Sequence, residues 1–538
     1  MRIRRGLIRL IGPALAMLLL PSACGPASSS NSGSPSAASE QPVTGGQLII
    51  GLQADPSPLN PNLTTNGPTQ EIGTMIYEPL VYFDNEQAKP APQLAKSWTI
   101  SPDGLTYTFD LVDATFSDGA PLTSSDVKYT IEQVSAKTFA PFAPAAAAIS
   151  NIDDKDPKKV VITLKRAFGP FLLSLTRVWI LPKHVFGGTD VKTNPASLTA
   201  PVGTGPFILD KFTRGEQWTL VRNPKYWQKG KPYLNSIVGK VIPNVQSMVL
   251  AVSAGDVHYV SSQVIPASDA VQLQTKPNLA LVKDSFAPND SLMFFNMKRP
   301  LTANADVRHA LVMAVDRQFI FQTVFNSFGK VATTQFDSRL ASAANTSVNF
   351  DTMYPYDPKK AAAALDAAGY KPDASGKRFD ITILVEAGSR FVAVAEAIRS
   401  MFKAIGVNAT VDAPEVAVAA DKAFKRGEFD IYLQSYTTNW DPALGIERAY
   451  VTSSIGTTFG NASSYSNPDV DKLFEQGRYG TTPEERGKYY KDAQTILAKD
   501  IPVFPLVETK LYDVAAKNVR GVWYAANWGE WERAWLAR

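Results

Sequence analysis

The clearest pattern of apolar and polar residues lies in the C-terminal half of the chain. Residues 379–385, 407–411 and 429–435 are short apolar runs typical of strands. The segments between them, 390–404 and 416–425, have the apolar spacing of helices. Because strands and helices that alternate in this way build a parallel sheet with right-handed crossovers, the pattern predicts an α/β lobe here.

Elements of the same kinds are predicted earlier in the chain. Residues 47–52 begin the ordered part as a strand, and residues 106–111 alternate polar and apolar positions as a half-buried strand does. The apolar residues of 305–318 lie on one face of a helix, with Arg308 and Arg317 expected on its solvent side. Strands and helices of both halves therefore favour a mixed α/β protein.

The segment 201–207, with the sequence PVGTGPF, has two glycines between two prolines. Such a sequence can hold backbone angles that few others tolerate. We interpret Gly203, Thr204 and Gly205 as a hinge, where the chain leaves a long insertion and re-enters the first lobe. Open and closed forms would interconvert there and near residues 505–510. The alternative is an ordinary tight loop.

Ligands of open α/β sheets bind beyond the carboxyl ends of the strands, which nominates two loops of the C-terminal lobe. The candidate residues of the first loop are Glu386, Ser389 and Arg390. The second loop contains Tyr436, Thr437, Thr438, Asn439, Trp440 and Asp441. The second loop combines aromatic, amide, hydroxyl and carboxylate groups, although Asp441 followed by proline could also be a simple turn. In the N-terminal lobe, the proline-rich loop after residues 47–52 adds Asp55 and Asn60 as candidates.

Length and charge limit the class of protein. A chain of 538 residues is long enough for two to four domains, and 45% hydrophobic with 19% charged residues is the composition of a globular protein. The formal charge of +4 comes from four arginines within the first 23 residues. Without that segment, 50 basic and 50 acidic residues balance, so there is no electrostatic case for nucleic acid as a partner.

The N-terminus has the three parts of an export signal: an arginine-rich start, an apolar run over 10–20, and small residues before Cys24. Cys24 is the only cysteine, so we expect no intrachain disulfide and a lipid anchor at this residue. Pro21 stands where lipoprotein signals usually carry leucine, and an incidental cysteine is the alternative. We expect a signal peptide at 1–23 and a flexible lipid-anchored linker at 24–46, rich in Ser, Ala, Gly and Pro.

Several short motifs occur in one order along the chain. They include YEPLV at 77–81, FSDG at 116–119, PVGTGPF at 201–207, VRHAL at 307–311 and YSNP at 465–468. This order resembles the family 5 extracellular solute-binding proteins of ABC importers, the dipeptide, oligopeptide and nickel type, over roughly residues 47–525. The resemblance implies a two-lobed α/β fold of the periplasmic-binding-protein type (class II), with an extra subdomain inserted in the first lobe and the ligand enclosed between lobes.

The resemblance also gives domain boundaries and partners. Lobe I is expected from 47–77, 205–290 and 509–538, the inserted subdomain from 78–204, and lobe II from 291–508. The implied protein is a monomeric, lipid-anchored receptor on the outer face of the cell membrane. It would pass a peptide or peptide-like solute to an ABC permease, with no cofactor, no bound metal and no catalysis of its own.

The same resemblance bears on the ligand. Peptide binders of this family hold the terminal amine with an aspartate four residues before the proline of an acidic-proline pair, and Thr438 stands at that position here. Asp441 or Asp55 would have to replace it. A tryptophan of the dipeptide binders corresponds to Val416 and Ala417, which predicts a roomier pocket. Arg390 is a candidate for holding a ligand carboxylate, with a solvated arginine as the alternative.

Two other classes of function stay open from the sequence. An exported hydrolase would need carboxylate pairs, because the chain has neither a Gly-x-Ser-x-Gly nor a His-Glu-x-x-His motif. A receptor for a nickel-type metal chelate is the other alternative, although His184, His258 and His309 are the only histidines. We expect His184 and His309 to have structural roles.

Overall fold

The seven-stranded sheet of lobe I is formed by strands from three distant parts of the chain. The computed structural model describes residues 40–84, 87, 89–261, 264–282, 288–522 and 530–538. The central strand of the sheet is parallel to both neighbours. In spatial order the strands are Leu279–Val282, Asp513–Ala516, Tyr259–Val260, Gln47–Leu52, Ser236–Val241, Gln217–Arg222 and Phe207–Thr213. The predicted signal peptide at 1–23, Cys24 and the linker as far as residue 39 lie outside the described residues.

The region 78–204, which we call the insert, contains its own antiparallel sheet of four strands. The strands are, in spatial order, Ala95–Ile100, Thr106–Leu111, Lys159–Leu164 and Ile149–Asp153. A two-stranded ribbon, Val81–Asp84 with Lys89–Pro92, precedes this sheet. A second ribbon, Val519–Arg520 with Trp535–Leu536, belongs to the C-terminal part of lobe I. The insert shares one hydrophobic core with lobe I, so these two parts pack as one body.

Lobe II is built on a mixed sheet of six strands. In spatial order these are Gly329–Val331, Val503–Thr509, Asn289–Phe295, Ile431–Thr437, Phe379–Leu384 and Val407–Asp412. The last three are parallel to one another, as the alternating pattern predicts, whereas the strands on the other side are antiparallel. Helix Phe391–Lys403 makes the predicted crossover and buries a stripe at helical spacing against the sheet. Lobe II has hydrophobic cores of its own.

Helices cover these sheets. Those of lobe I and the insert are Gly67–Ile76, Ser124–Tyr129, Ala136–Thr138, Ala143–Ala148, Phe171–Ser174, Lys183–Phe186, Pro195–Leu198, Val245–Ala254 and Ala267–Gln274. Those of lobe II are Pro300–Ala303, Ala305–Met313, Arg317–Thr323, Phe350–Met353, Pro358–Ala367, Phe391–Lys403, Val416–Asp421, Pro468–Tyr479 and Pro483–Asp500. Wider π turns extend two of them over Thr130–Ser135 and Lys422–Arg426. Single 3₁₀ turns are Pro61–Leu63, Ala140–Phe142, Leu175–Arg177, Pro442–Leu444, Ile446–Ala449, Thr452–Ser454 and Trp531–Arg533.

The segment 201–207 requires a correction to its interpretation as a hinge between the lobes. It joins the insert to strand Phe207–Thr213 of lobe I, and Gly205 N donates to the Ile76 carbonyl at 2.8 Å. A Cβ atom on Gly203 would overlap the same carbonyl oxygen, so glycine is needed for close backbone packing. The chain passes between the two large sheets elsewhere, after Val282 and after Thr509. The second of these passages lies beside the predicted crossing at 505–510.

The predicted helix 305–318 also differs from the structure. It ends at Met313, and Asp316 caps a second helix, Arg317–Thr323. Arg308 and Arg317 are buried, although the helical pattern places them toward solvent. Arg308 donates to three backbone carbonyls, and Arg317 forms an ion pair with Asp351. Hydrogen bonds to carbonyl oxygens at the ends of neighbouring elements offset the free-energy cost of burying these charges.

Candidate functional site

The two candidate loops lie at the same edge of the lobe II sheet. The parallel register aligns Ile383 with Ile431, so the carboxyl ends of these neighbouring strands point the same way. The first loop, residues 386–390, follows one strand, and the second loop, residues 436–441, spans the end of the other. This edge is where open α/β sheets bind ligands.

A sharp turn exposes the tryptophan of the second loop to the insert. Asn439 and Trp440 both have left-handed backbone angles, with φ of 50° and 65°. Such angles are uncommon for residues other than glycine, and strain of this kind concentrates at functional sites. The Trp440 ring stacks on Phe83 of the insert, with ring centroids 4.8 Å apart, while its buried N–H has no hydrogen-bond partner. Trp440 therefore connects the two bodies of the molecule.

A crevice of about 620 Å³ separates the insert from lobe II at this contact. The volume is within the range of small-molecule sites. Apolar side chains from both sides line it together with three basic residues and one acid. The apolar and aromatic residues are Phe83, Ile100, Tyr107, Phe168, Leu172, Leu173, Leu340, Trp440 and Tyr490, and the charged residues are Lys89, Arg339, Arg486 and Asp441.

Contacts along the margin of the crevice join the two bodies. The Arg166 guanidinium lies 3.1 Å from the centroid of the Tyr479 ring. The Gly169 amide donates to the Arg478 carbonyl at 3.0 Å. Leu444, which follows the second loop, packs against the core shared by lobe I and the insert. These contacts hold the insert against lobe II.

Asp441 is already occupied by a partner within lobe II. It forms a buried ion pair with Arg486 at 2.7 Å and accepts a hydrogen bond from the Ala443 amide. Burial alone would lower the pKa of Arg486, but the carboxylate of Asp441 raises it. These partners give Asp441 a structural role and leave it poorly placed to replace a missing amine anchor.

Most other polar groups of the second loop are also bonded within lobe II. The Tyr436 hydroxyl donates to the Gly460 carbonyl at 2.6 Å, and burial raises the pKa of this phenol. Thr437 accepts from the Asn289 side chain at 2.9 Å. The Thr438 amide donates to the Pro288 carbonyl at 2.8 Å. These hydrogen bonds fix the loop, so the Trp440 ring, which lines the crevice, is the part of the loop best placed to contact a ligand.

The first loop borders a second, more open hollow. Its volume is about 690 Å³, and Ala387, Val416, Ala417 and Phe459 are among its lining residues. The Glu386 carboxylate accepts from the Gln434 amide at 2.8 Å. Val416 and Ala417 lie at this hollow, and the roomier ligand pocket that the resemblance implies there stays a prediction.

The other two candidates in the first loop differ in their partners. Ser389 donates to a backbone carbonyl of its own loop at 2.6 Å. The Arg390 guanidinium lies 5.8 Å from the centroid of the Phe325 ring and makes no ion pair with any described residue. Burial lowers the pKa of Arg390, and the nearby Tyr512 hydroxyl acts in the opposite direction. Arg390 therefore stays available to a ligand anion.

The side chains of the two lobe I candidates, Asp55 and Asn60, form hydrogen bonds with residues of lobe I and the insert. Asp55 accepts from the Gly215 amide at 2.8 Å. Asn60 is fully buried, caps the turn Pro61–Leu63 and donates to Ser197 at 3.0 Å. Neither residue lines the crevice or the hollow, so the structure does not bring them together with the loops of lobe II.

A buried group of acids lies at the end of the six-stranded sheet nearest lobe I. Asp290 and Glu508 face each other on antiparallel strands, and Asp337 is paired with Arg339 at 2.6 Å beside them. Neither carboxylate oxygen of Asp290 has a hydrogen-bond partner. Burial, followed by the negative charges of Asp337 and Glu508, raises the pKa of Asp290 well above its usual range. No periodicity in the sequence signals this group.

Sequence reasoning also missed Phe83. Phe83 lies in a short ribbon 357 positions before Trp440, and no local pattern indicates their contact. Among the residues that the structure describes, no group of three or more His, Cys, Asp or Glu side chains is arranged to hold a metal ion. His184 pairs with Asp118 and His309 bonds to the Lys499 carbonyl, which are structural contacts.

Comparison with known proteins decides the family. The sequence profile of the bacterial extracellular solute-binding proteins, family 5 Middle, matches residues 89–457, more than half of the chain. The chain belongs to family 5. Family 5 proteins bind the substrates of ABC importers outside the cytoplasm.

Curated relatives agree with this assignment. The oligopeptide-binding protein AppA of Bacillus subtilis is 26% identical over 100% of both chains. The glutathione-binding protein GsiB of Salmonella typhimurium is 27% identical over 90% of this chain and 93% of that protein. Both are similar to this family 5 chain over nearly its whole length.

Solved structures show the same two-lobed α/β fold. The structure of AppA from Bacillus subtilis in complex with a nonapeptide has 25% identity, covers 93% of this chain and 100% of its own, and superposes with a TM-score of 0.73. The substrate-binding protein CtaP from Listeria monocytogenes has 25% identity, covers 92% and 100%, and superposes at 0.81. Within the described ranges of this family 5 chain, no helix combines the length and apolar character needed to cross a bilayer.

Proposed function

We propose that this protein captures a peptide or peptide-like solute between its lobes and delivers it to the permease of an ABC importer. The observation that carries the proposal is the crevice between the insert and lobe II, closed by the stacking of Trp440 on Phe83. A ligand there touches both bodies, so it favours the closed form by its contacts to each. Relatives named for oligopeptides and glutathione support a peptide-like cargo.

Closure is proposed to occur about the passage between the large sheets after Thr509. Short chain segments that join two lobes are typical hinges of two-lobed binding proteins. The protein is proposed to act as a monomer, held at the outer face of the membrane by a lipid on Cys24. The closed form would present both lobes together to the permease.

Mass spectrometry of the cargo tests this proposal. The full-length protein is purified in mild detergent, denatured gently, and the released molecules are identified. We expect short peptides, and we expect the same peptides to raise the melting temperature when they are added back to refolded protein. Turnover of peptides or glycosides that a single carboxylate substitution abolishes would identify a hydrolase instead. Release of a metal chelate would identify the nickel-type alternative.

A further inference from the structure

Three arginines near the seam between the bodies have no hydrogen bond and no ion pair among the described residues. Each guanidinium lies over an aromatic ring instead. The three pairs are Arg177 over Phe139 at 5.5 Å, Arg390 over Phe325 at 5.8 Å, and Arg448 over Tyr436 at 4.8 Å from the ring centroid. Arg390 belongs to the first loop, whereas Arg177 and Arg448 have no assigned role.

Other arginines of the same region are paired. Arg486 is bonded to Asp441, and Arg478 to the buried Glu447. A guanidinium in partly buried surroundings ordinarily finds a carboxylate, because an unpaired charge there costs free energy. Arg177 and Arg448 therefore depart from the local rule, and a planar carboxylate of a ligand would complete their coordination.

Arg177 and Arg448 have no acidic partner among the described residues. Burial lowers the pKa of Arg177 to about 10, and its Nε–H is buried without a partner. Burial also lowers the pKa of Arg448, and only the Tyr436 hydroxyl opposes this shift. No carboxylate of a described residue forms an ion pair or hydrogen bond with either guanidinium, and none shifts its pKa. Glu386, the acid of the first loop, accepts a hydrogen bond from the Gln434 amide.

Arg448 lies directly beside the candidate site. It covers the ring of Tyr436, the first residue of the second loop, and its side chain stays open to solvent. Leu444, one turn earlier, packs against the core of lobe I and the insert. A ligand between the bodies can therefore reach the guanidinium from the seam.

Arg177 approaches the same region from the insert. Its turn follows helix Phe171–Ser174, and Leu173 of that helix lines the crevice. Leu175–Arg177 also contacts the ribbon strand Val81–Asp84, whose Phe83 stacks on Trp440. Phe139 beneath Arg177 packs against Trp179, whose carbonyl accepts from Asn62 in the loop after the first strand.

We propose that the ligand is acidic, with an anionic group such as a glutamate side chain, and that Arg177 from the insert and Arg448 from lobe II both bind that group. The two arginines then select for negative charge, in addition to the carboxylate that Arg390 is predicted to hold. This inference rests on the proposed capture of a peptide-like solute. Binding of such a ligand also favours the closed form electrostatically, because the ligand neutralises a cation on each body.

Two pools of tetrapeptides test the selection. One pool has a single glutamate at varied positions, and the other has glutamine at the same positions, so that only the charge differs. Titration calorimetry with the full-length protein should show about 30-fold tighter binding of the glutamate pool, the lower range for losing one partner of a buried charged pair. Arg177→Met and Arg448→Met should each reduce this preference to less than about threefold, because methionine keeps the contact with the ring but not the charge.

Arg214→Met is the matched control. Its guanidinium also lies 5.5 Å from a phenylalanine centroid, that of Phe212, and it is exposed at a hairpin of lobe I away from the crevice. This variant should keep the full preference for glutamate. Where a methionine variant does not fold, the glutamine variant at the same position takes its place.

The outcomes separate the inference from the proposed function. Equal affinity for both pools overturns the acidic-ligand inference and leaves peptide capture standing. A preference that survives in Arg177→Met and in Arg448→Met overturns the assigned residues. Failure of both pools to bind overturns the inference and peptide capture together, whereas peptides found in the cargo experiment would restore the latter alone.

Discussion

Replacing Asp290 with asparagine should stabilise this protein at neutral pH, although most substitutions of buried residues destabilise. Asp290 is 1% exposed, and both its oxygens lack a donor. Glu508 lies directly opposite with one oxygen also unpartnered, and Asp337 adds a second negative charge. Folding at neutral pH must therefore either take up a proton at Asp290 or bury an unpaired charge.

The size of the effect follows from these contacts. A buried acceptor without a partner costs about 1–3 kcal/mol. Asparagine has nearly the same volume, so no cavity forms, and its amide can donate to the open oxygen of Glu508. We expect Asp290→Asn to raise the free energy of unfolding by about 1–3 kcal/mol at pH 7.

The pH dependence gives the sign independently. Because the folded state raises the pKa of Asp290, it binds a proton that the unfolded state has lost above pH of about 3.9. The contribution of Asp290 to the stability of the wild type is then fully present below that pH and falls as pH rises toward the raised pKa, by up to about 1.4 kcal/mol per pH unit. The variant should lack this part of the slope, keep the part that comes from the raised pKa of Glu508, and match the wild type near pH 4.

Urea unfolding at several pH values between about 4 and 9 measures both quantities. Asp337→Asn is the control from the same cluster, because Asp337 is paired with Arg339. Removing one partner of a buried pair costs about 3–5 kcal/mol, so this variant should be destabilised. If Asp290→Asn is destabilised as well, or if its pH profile is parallel to that of the wild type, the reasoning about the unpaired acid is wrong.

The remaining predictions concern three other places. Trp440→Ala should weaken peptide binding by at least tenfold in calorimetry, because Trp440 lines the crevice. Trp98 lies outside both cavities, so the control variant Trp98→Ala should bind with unchanged affinity. Equal affinity in the two variants would remove Trp440 from the site. Cys24→Ala should lose labelling by fatty acid and move from the membrane fraction to the medium or periplasm, and a labelled variant would disprove the anchor. Gly203→Ala should lower the free energy of unfolding by about 1–3 kcal/mol, since its Cβ overlaps the Ile76 carbonyl, and unchanged stability in urea would contradict that packing argument.

Much of lobe II could be predicted from its sequence because local signals agree with the tertiary fold. The strand Phe379–Leu384, the helix Phe391–Lys403 and the strand Val407–Asp412 each have the periodicity of their type. Their order fixes a right-handed parallel crossover. The burial of Arg308 could not be predicted, because its partners are carbonyls from the far ends of other helices.

Less of the candidate site could be predicted. The position of the two loops follows from the parallel strands, but the contact of Trp440 with Phe83 depends on how the insert folds back on lobe II. The sequence shows that Asp441 is acidic, whereas its use depends on Arg486, 45 positions later. Residues so far apart in the sequence produce no periodic pattern that would indicate their contact. The prediction of a hinge at Gly203 is wrong for the same reason.

The position of strand Asp513–Ala516 affects the order in which the molecule can be completed. This strand lies between Leu279–Val282 and Tyr259–Val260, and it is among the last segments to be synthesised. Until it arrives, the edge strand of lobe I has no neighbour, and the sheet is divided by a gap. Assembly that waits for distant segments is slow. The sheet of lobe I can therefore be completed only after nearly the whole chain has been synthesised, whereas lobe II has all its strands before that point.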